Sequence, residues 1–93
     1  MITIKEAEAI AKKYLDNLQG GVGSPVQLAK TQEESFGWVF FYQSKDYMET
    51  GNLGSMLAGN APFIVDNRTG AVHVLGTAHP ADVYIREYAR LHG

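Results

Sequence analysis

The chain has 93 residues, which is enough for one domain with its own hydrophobic core and too few for two. Its composition is 45% hydrophobic and 19% charged, which excludes a disordered or collagen-like chain. The net charge of -2 gives it no electrostatic reason to bind nucleic acid or an anionic membrane. It contains no cysteine, which excludes disulfides, thiolate metal sites and a cysteine nucleophile.

No segment of the sequence has the properties of a secretion signal or a membrane span. The longest apolar runs are about five residues, against the roughly 20 that a bilayer-spanning helix needs. We therefore expect a cytoplasmic protein that forms a single domain over residues 1–93.

The first predicted element is a helix over residues 3–19. Thr3 and Glu6 have the spacing of a capping box, in which each side chain accepts a hydrogen bond from the other residue's backbone N–H. The following apolar residues recur at spacings of three and four and form one stripe: Ile4, Ala7, Ile10, Ala11, Tyr14 and Leu18. Gly20-Gly21 predicts the end of the helix.

The next part of the chain predicts a pair of strands. Residues 26–32 alternate between apolar and polar side chains, and Glu33-Glu34-Ser35 reads as an exposed turn. Residues 36–43 form the most apolar segment of the protein, with apolar side chains on both faces of the strand. Both faces of this strand therefore need a cover.

A long connection with no clear period follows, from Ser44 to Ala61, with Met56-Leu57 as a short turn within it. Connections of this length are usually functional or disordered. A second pair of strands is predicted at residues 63–65 and 71–76. They are joined through residues 66–70, where the last residue, Gly70, suits a positive φ.

A C-terminal helix is predicted after Pro80, with Tyr84, Tyr88 and Leu91 on one face. This order of elements favours an α+β, two-layer fold in which the N-terminal helix packs on a four-stranded antiparallel sheet, with the C-terminal helix added. One helix covers one face of a small sheet. A second copy of the chain is one candidate for covering the other face of the sheet, so a homodimer is one of the assemblies that the sequence allows.

The sequence offers no catalytic, cofactor-binding or metal-binding motif. The glycine-rich residues 51–59 lack the Gly-Lys-Ser/Thr ending of a phosphate-binding loop. The three histidines, His73, His79 and His92, do not have the i, i+4 spacing that directs two imidazoles at one metal. No Gly-x-Ser-x-Gly nucleophile elbow is present. We therefore expect a protein that is not an enzyme and has no cofactor.

The acidic residues are concentrated in the middle of the chain. Residues 32–60 hold four acids against one lysine, and two of these acids flank Tyr47 and Met48. Aromatic and methionine side chains beside charge of one sign suit binding to a basic protein surface. The plain alternative is a solvated loop whose Tyr47 packs on its own sheet.

Several segments together resemble the immunity protein 35 family of small bacterial proteins, some of which are encoded beside polymorphic toxins. The resemblance covers nearly the whole chain, and its residues are Trp38-Val39-Phe40-Phe41-Tyr42-Gln43-Ser44, Tyr47, Thr50-Gly51, Leu57-Ala58-Gly59-Asn60-Ala61-Pro62, Val65-Asp66, Gly70, Leu75-Gly76-Thr77 and Pro80. It implies a non-enzymatic protein that binds and neutralises a cognate toxin, with papain-like peptidases and deamidases among the toxin classes. It supplies no catalytic residues.

The aromatic and glycine positions of this signature are those that a small fold needs for its core and turns. The residues that determine toxin specificity are therefore expected among the exposed, less patterned ones: Asp46, Tyr47, Met48, Glu49 and Asn52.

Three alternatives stay open at this point. One is a small chaperone-like or peptide-binding module that uses an exposed apolar face of residues 38–42. Another is a cystatin-like protease inhibitor, although the Gln-x-Val-x-Gly hairpin of cystatins is absent. The third is a minimal enzyme, which would require histidine and carboxylate groups to converge in a pocket.

Overall fold

The computed structural model describes residues 1–22, 26–51 and 61–92. In these ranges the chain forms three helices and four strands, in the order α1 (Ile4–Val22), β1 (Val26–Glu34), β2 (Gly37–Ser44), α2 (Lys45–Thr50), β3 (Phe63–Asp66), β4 (Val72–Val74) and α3 (Ala81–His92). This order confirms the predicted α+β class and adds one short helix, α2.

Helix α1 begins with the predicted capping box. The Thr3 backbone N–H donates to Oε1 of Glu6 at 3.0 Å, and the Glu6 backbone N–H donates to Oγ1 of Thr3 at 3.2 Å. The predicted end of the helix was wrong, because α1 continues through Gly20-Gly21 to Val22. A glycine inside a helix costs about 1 kcal/mol relative to alanine, which weakens the helix without forbidding it.

The four strands form one antiparallel sheet in the order β1-β2-β3-β4. The predicted turn at Glu33-Glu34-Ser35 was wrong in its position. Glu33 pairs with Trp38 and Glu34 with Gly37, so the strands continue to a tight turn at Ser35-Phe36. The turn between β3 and β4 lies where it was predicted, and Gly70 has a φ of 75°.

Gly37, directly after the first turn, has a backbone conformation and a neighbourhood that only glycine tolerates. Its φ is 146°, and a Cβ atom here would clash with the carbonyl oxygen of Val65 and would lie 2.9 Å from the backbone nitrogen of Asn67. The close approach of β2 to β3 therefore depends on this glycine.

One face of the sheet packs against α1. Trp38, Phe40 and Tyr42 of β2 point to this face because side chains alternate along a strand. They pack with residues of β1, β3 and α1: Val26, Phe63, Val65, Ala7, Ala11 and Leu15. The predicted stripe of α1 is confirmed in Ala7 and Ala11, whereas Ile4 is 40% exposed.

Helix α3 covers the opposite face of the sheet. Ile85 and Tyr88 pack there with Phe36, Val39, Ile64 and Leu75. Val39 is fully buried and Phe41 is half-buried with the Lys30 ammonium 5.5 Å from its ring centre. The second face of β2 is thus covered within one chain. This removes the reason for proposing a peptide-binding module on an exposed face of residues 38–42.

The predicted irregular connection from Ser44 to Ala61 was wrong in its first part, where Lys45–Thr50 forms α2. A helix of less than two turns is too short to show a periodic apolar pattern. Residues 52–60, which include the predicted turn at Met56-Leu57, lie outside the described residues. In the described ranges, no helix combines the length and apolarity that crossing a bilayer requires.

Candidate interaction surface

Helix α2 continues directly from the end of β2 and is capped at both ends. Ser44 is the last residue of β2, is 4% exposed, and accepts a hydrogen bond on its Oγ from the Tyr47 backbone N–H at 3.3 Å. At the other end, Gly51 has a φ of 71° and its N–H donates to the Tyr47 carbonyl oxygen at 2.8 Å. The two caps stabilise the ends of α2, and the first of them comes from a residue of the sheet.

Four of the five predicted interface residues lie on α2. Asp46, Met48 and Glu49 are exposed and Tyr47 is half-buried, so the tyrosine is less accessible than the sequence suggested. The fifth, Asn52, lies outside the described residues. Glu49 is 3.9 Å from the Lys45 ammonium, and both side chains are more than half exposed, so this ion pair contributes little stability. We call Lys45–Thr50 the α2 surface.

A buried polar contact joins β3 to α3, and Asp66 in it pairs with Gly37 at the start of β2, the end away from α2. The Tyr88 hydroxyl donates to Oδ2 of Asp66 at 2.7 Å, and Asp66 is 4% exposed. The second carboxylate oxygen, Oδ1, accepts from the Arg68 backbone N–H at 2.8 Å and lies 3.5 Å from Arg68 Nε. Both carboxylate oxygens therefore have partners.

This contact shifts the pKa of both groups. Burial alone would raise the pKa of the Asp66 carboxyl, but the Arg68 N–H, the Tyr88 hydroxyl and the Arg68 guanidinium together hold it below its ordinary value. Burial, followed by the hydrogen bond to the Asp66 carboxylate, raises the pKa of Tyr88 to about 12. Tyr88 is consequently a protonated hydrogen-bond donor at neutral pH and a poor general base.

The Asp66–Tyr88 contact was not predicted from the sequence. Asp66 was expected only as the start of a turn and Tyr88 only as part of an apolar helix face. The two residues are 22 positions apart, and their meeting depends on how α3 lies across the sheet. A tyrosine on an otherwise apolar helix face was the available signal, because a buried hydroxyl needs a partner.

An open cleft of about 390 Å³ lies beside this contact, between β4 and α3. The rings of His73 and His92 lie 5.1 and 4.2 Å from the Tyr88 ring, and the cleft is also lined by Tyr84 and Glu87. Within residues 1–22, 26–51 and 61–92, no group of three histidine or carboxylate side chains is placed to hold a metal ion. The cleft is open to solvent, and aromatic, imidazole and aliphatic side chains line it.

The geometry defines a small α+β domain whose two central strands, β2 and β3, are covered on both faces and whose described surface offers a capped helix and an open cleft. Comparison with known proteins agrees with the resemblance seen in the sequence. Residues 5–89 match the family described as Immunity protein 35. The chain belongs to the immunity protein 35 family.

A similar protein occurs in Escherichia coli. The chain is 41% identical over 88 residues to "Uncharacterized protein YrhB" of Escherichia coli (strain K12), an alignment that covers 95% of this chain and 89% of that protein. No solved structure matches the chain. The family therefore indicates the class of function, and the mechanism has to be inferred from the surface of this protein.

Proposed function

We propose that this protein neutralises a cognate bacterial toxin by binding it directly, without catalysis, and that the α2 surface is part of the contact. Membership of the immunity protein 35 family is the observation that supports the toxin as partner. The α2 surface supports the location, because it presents exposed side chains on a helix that is held at both ends.

The chemistry of the α2 surface favours a basic patch on the toxin. It carries two carboxylates, Asp46 and Glu49, against one ammonium, Lys45. Met48, on the same helix, is 39% exposed and supplies an apolar, adaptable contact. Since the helix is capped, little conformational entropy is lost when a partner binds it, and this favours affinity.

A six-residue helix is too small to form a stable interface alone. Specific protein complexes bury on the order of 1,600 Å² in total, which requires about 20–30 residues from each side. We expect neighbouring residues to complete the contact, with Asn52 among them. The bound protein then blocks either the active site of the toxin or its substrate-binding surface. Papain-like peptidases and deamidases are the toxin classes that we propose first.

A charge reversal on α2 tests the location. Glu49→Lys should weaken binding at least tenfold, as expected when a carboxylate that faces a basic patch becomes an ammonium. Glu87→Lys on α3 is a matched control, because the side chains of Glu49 and Glu87 are each 60% exposed and each lies 3.9 Å from a cation on its own helix. The two variants have the same net charge, so a general charge effect would weaken both.

The measurement is calorimetric titration with the purified toxin encoded beside this gene, after circular dichroism has shown that both variants are folded. Weaker binding of Glu49→Lys alone supports the α2 surface. Unchanged affinity of Glu49→Lys removes α2 from the interface. A protein that does not bind that toxin at all would overturn the proposed function itself.

A further inference from the structure

Strand β4 forms one edge of the described sheet, and two of its residues direct their backbone groups outward. The Leu75 N–H donates to the Pro62 carbonyl oxygen at 2.9 Å, and the Ala71 carbonyl oxygen accepts from the Asp66 N–H at 3.0 Å. Backbone groups of alternate residues point to opposite sides of a strand. Those of Val72 and Val74 therefore point away from β3, toward solvent.

The two edges of the sheet differ in how well they resist pairing with another strand. β1, the opposite edge, has an irregular register between Leu28 and Lys30, and carries charges at Lys30, Glu33 and Glu34. Bulges and charges are the devices by which proteins prevent edge-to-edge association. From Gly70 to Ala81 the chain has no Asp, Glu, Lys or Arg. A second strand that paired with β4 would therefore meet no repulsion from charged side chains of these four types.

The sequence around β4 is nearly symmetric about His73. It reads Gly70-Ala71-Val72-His73-Val74-Leu75-Gly76, with valine one residue away on both sides, alanine or leucine two away, and glycine three away. A two-fold axis through His73 would place valine opposite valine and glycine opposite glycine. It would also place the exposed Ala71 opposite the larger, buried Leu75.

We propose that two copies of this chain pair through antiparallel β4 strands, with His73 at the two-fold axis, to form one continuous eight-stranded sheet. Val72 then exchanges both backbone hydrogen bonds with Val74 of the partner subunit, and Val74 does the same with Val72 of the partner subunit. The pairing also covers two valine side chains per copy, which are 36% and 50% exposed in the single chain.

This register fixes the environment of His73. In antiparallel sheets a residue pair without mutual hydrogen bonds has its Cα atoms about 4.5 Å apart. The two His73 residues form such a pair on the α3 side, since His73 is opposite Ile64 and its ring lies 5.1 Å from that of Tyr88. The interface is small, so we expect a weak dimer that forms with rising concentration.

A single cysteine tests the register. The natural chain has no cysteine, so His73→Cys can form a disulfide only between two copies. A Cα separation of about 4.5 Å lies within the range of disulfides, about 4.4–6.8 Å. The matched control is Val83→Cys, which places a cysteine at a 37% exposed position on α3, outside β4.

We expect His73→Cys to become a covalent dimer at least ten times faster than Val83→Cys under mild oxidation at about pH 8, where thiols are partly ionised. Non-reducing electrophoresis and mass spectrometry would show a species of twice the 10.2 kDa of the chain. Equal rates for the two variants would overturn the proposed register.

A second experiment tests the dimer without cysteine. Sedimentation of the unmodified protein from about 10 µM to about 1 mM should show a rising mass, Val74→Lys should stay monomeric, and Val83→Lys should behave as the unmodified protein does. Hydrogen exchange should slow at the Val72 and Val74 amides as the concentration rises, and not at His73. A monomer throughout, or a Val74→Lys variant that still dimerises, would overturn the proposal. No toxin is present, so the result is independent of the proposed function.

Discussion

The Tyr88 hydroxyl lies 2.7 Å from Oδ2 of Asp66 and links α3 to the central part of the sheet through a contact that is closed to solvent. On the inner side of this contact the residues are apolar: the ring of Tyr88 packs edge-on against Phe36 at a centroid distance of 4.8 Å. A hydrogen bond between a carboxylate and a hydroxyl is strong in such surroundings, and a carboxylate oxygen that loses its partner there is costly.

The first prediction concerns the removal of this hydroxyl. Tyr88→Phe should lower the free energy of unfolding by about 1–3 kcal/mol, because it leaves Oδ2 of Asp66 buried without its donor. Tyr84→Phe makes the same change on the same helix, where the hydroxyl accepts from the exposed His79 N–H at 3.2 Å. Urea unfolding of both variants is the measurement. Equal losses in the free energy of unfolding would show that the buried Asp66 contact stabilises the fold no more than the exposed one does.

The second prediction is a loss of stability in acid. The pKa of the Asp66 carboxyl is lower in the folded protein than its ordinary value of 3.8. Its contribution to stability is therefore present above about pH 4 and is lost as the pH falls through the folded-state pKa. Unfolding in urea from pH 7 to pH 2 should show this loss. Tyr88→Phe should show a smaller one, and an unchanged acid dependence in that variant would contradict the prediction.

The third prediction concerns the alkaline range. Because the pKa of Tyr88 is raised from 10.0 to about 12, its contribution to stability is complete below about pH 10 and is lost as the pH rises through about 12. Tyrosinate absorbance near 295 nm should include a late step from this residue. Burial also raises the pKa of Tyr42, which is as buried as Tyr88, so Tyr88→Phe should reduce the late step by one tyrosine and leave the rest of the titration curve the same. A spectrum without a late step would place Tyr88 in contact with solvent.

The fourth prediction concerns Gly37. Gly37→Ala should destabilise the protein by about 2–4 kcal/mol, since the new Cβ atom clashes with backbone atoms of the neighbouring strand, which have no free rotation to avoid it. Gly51→Ala is the control: φ is also positive there, at 71°, but nothing lies within 4 Å of the added atom. It should cost about 1–2 kcal/mol, the penalty for a left-handed residue with a side chain. Thermal unfolding of both variants separates the two effects.

Several features that depend on neighbouring residues could be predicted from the sequence. The capping box of Thr3 and Glu6, the turn that ends at Gly70 and the apolar strand β2 all follow from side chains a few positions apart, and all are confirmed. The α+β order followed from these elements, because strands joined by short turns pair with each other.

Features that depend on tertiary packing were harder to predict from the sequence. The cover on the second face of β2 comes from Ile85 and Tyr88, and nothing within residues 38–42 indicates which element supplies it. Helix α2 is determined by a buried Ser44 at one end and Gly51 at the other, and the sequence showed only an acidic segment there. Four of the interface candidates nevertheless lie together on that helix.

The occupation of both sheet faces by helices has a consequence for how this protein can diverge. Residues at its rim, such as Met48 and Glu49, lie outside both core clusters and contribute nothing to the aromatic interior. Under the proposed function, exchange of these side chains would redirect recognition from one toxin to another while the inherited scaffold keeps its shape.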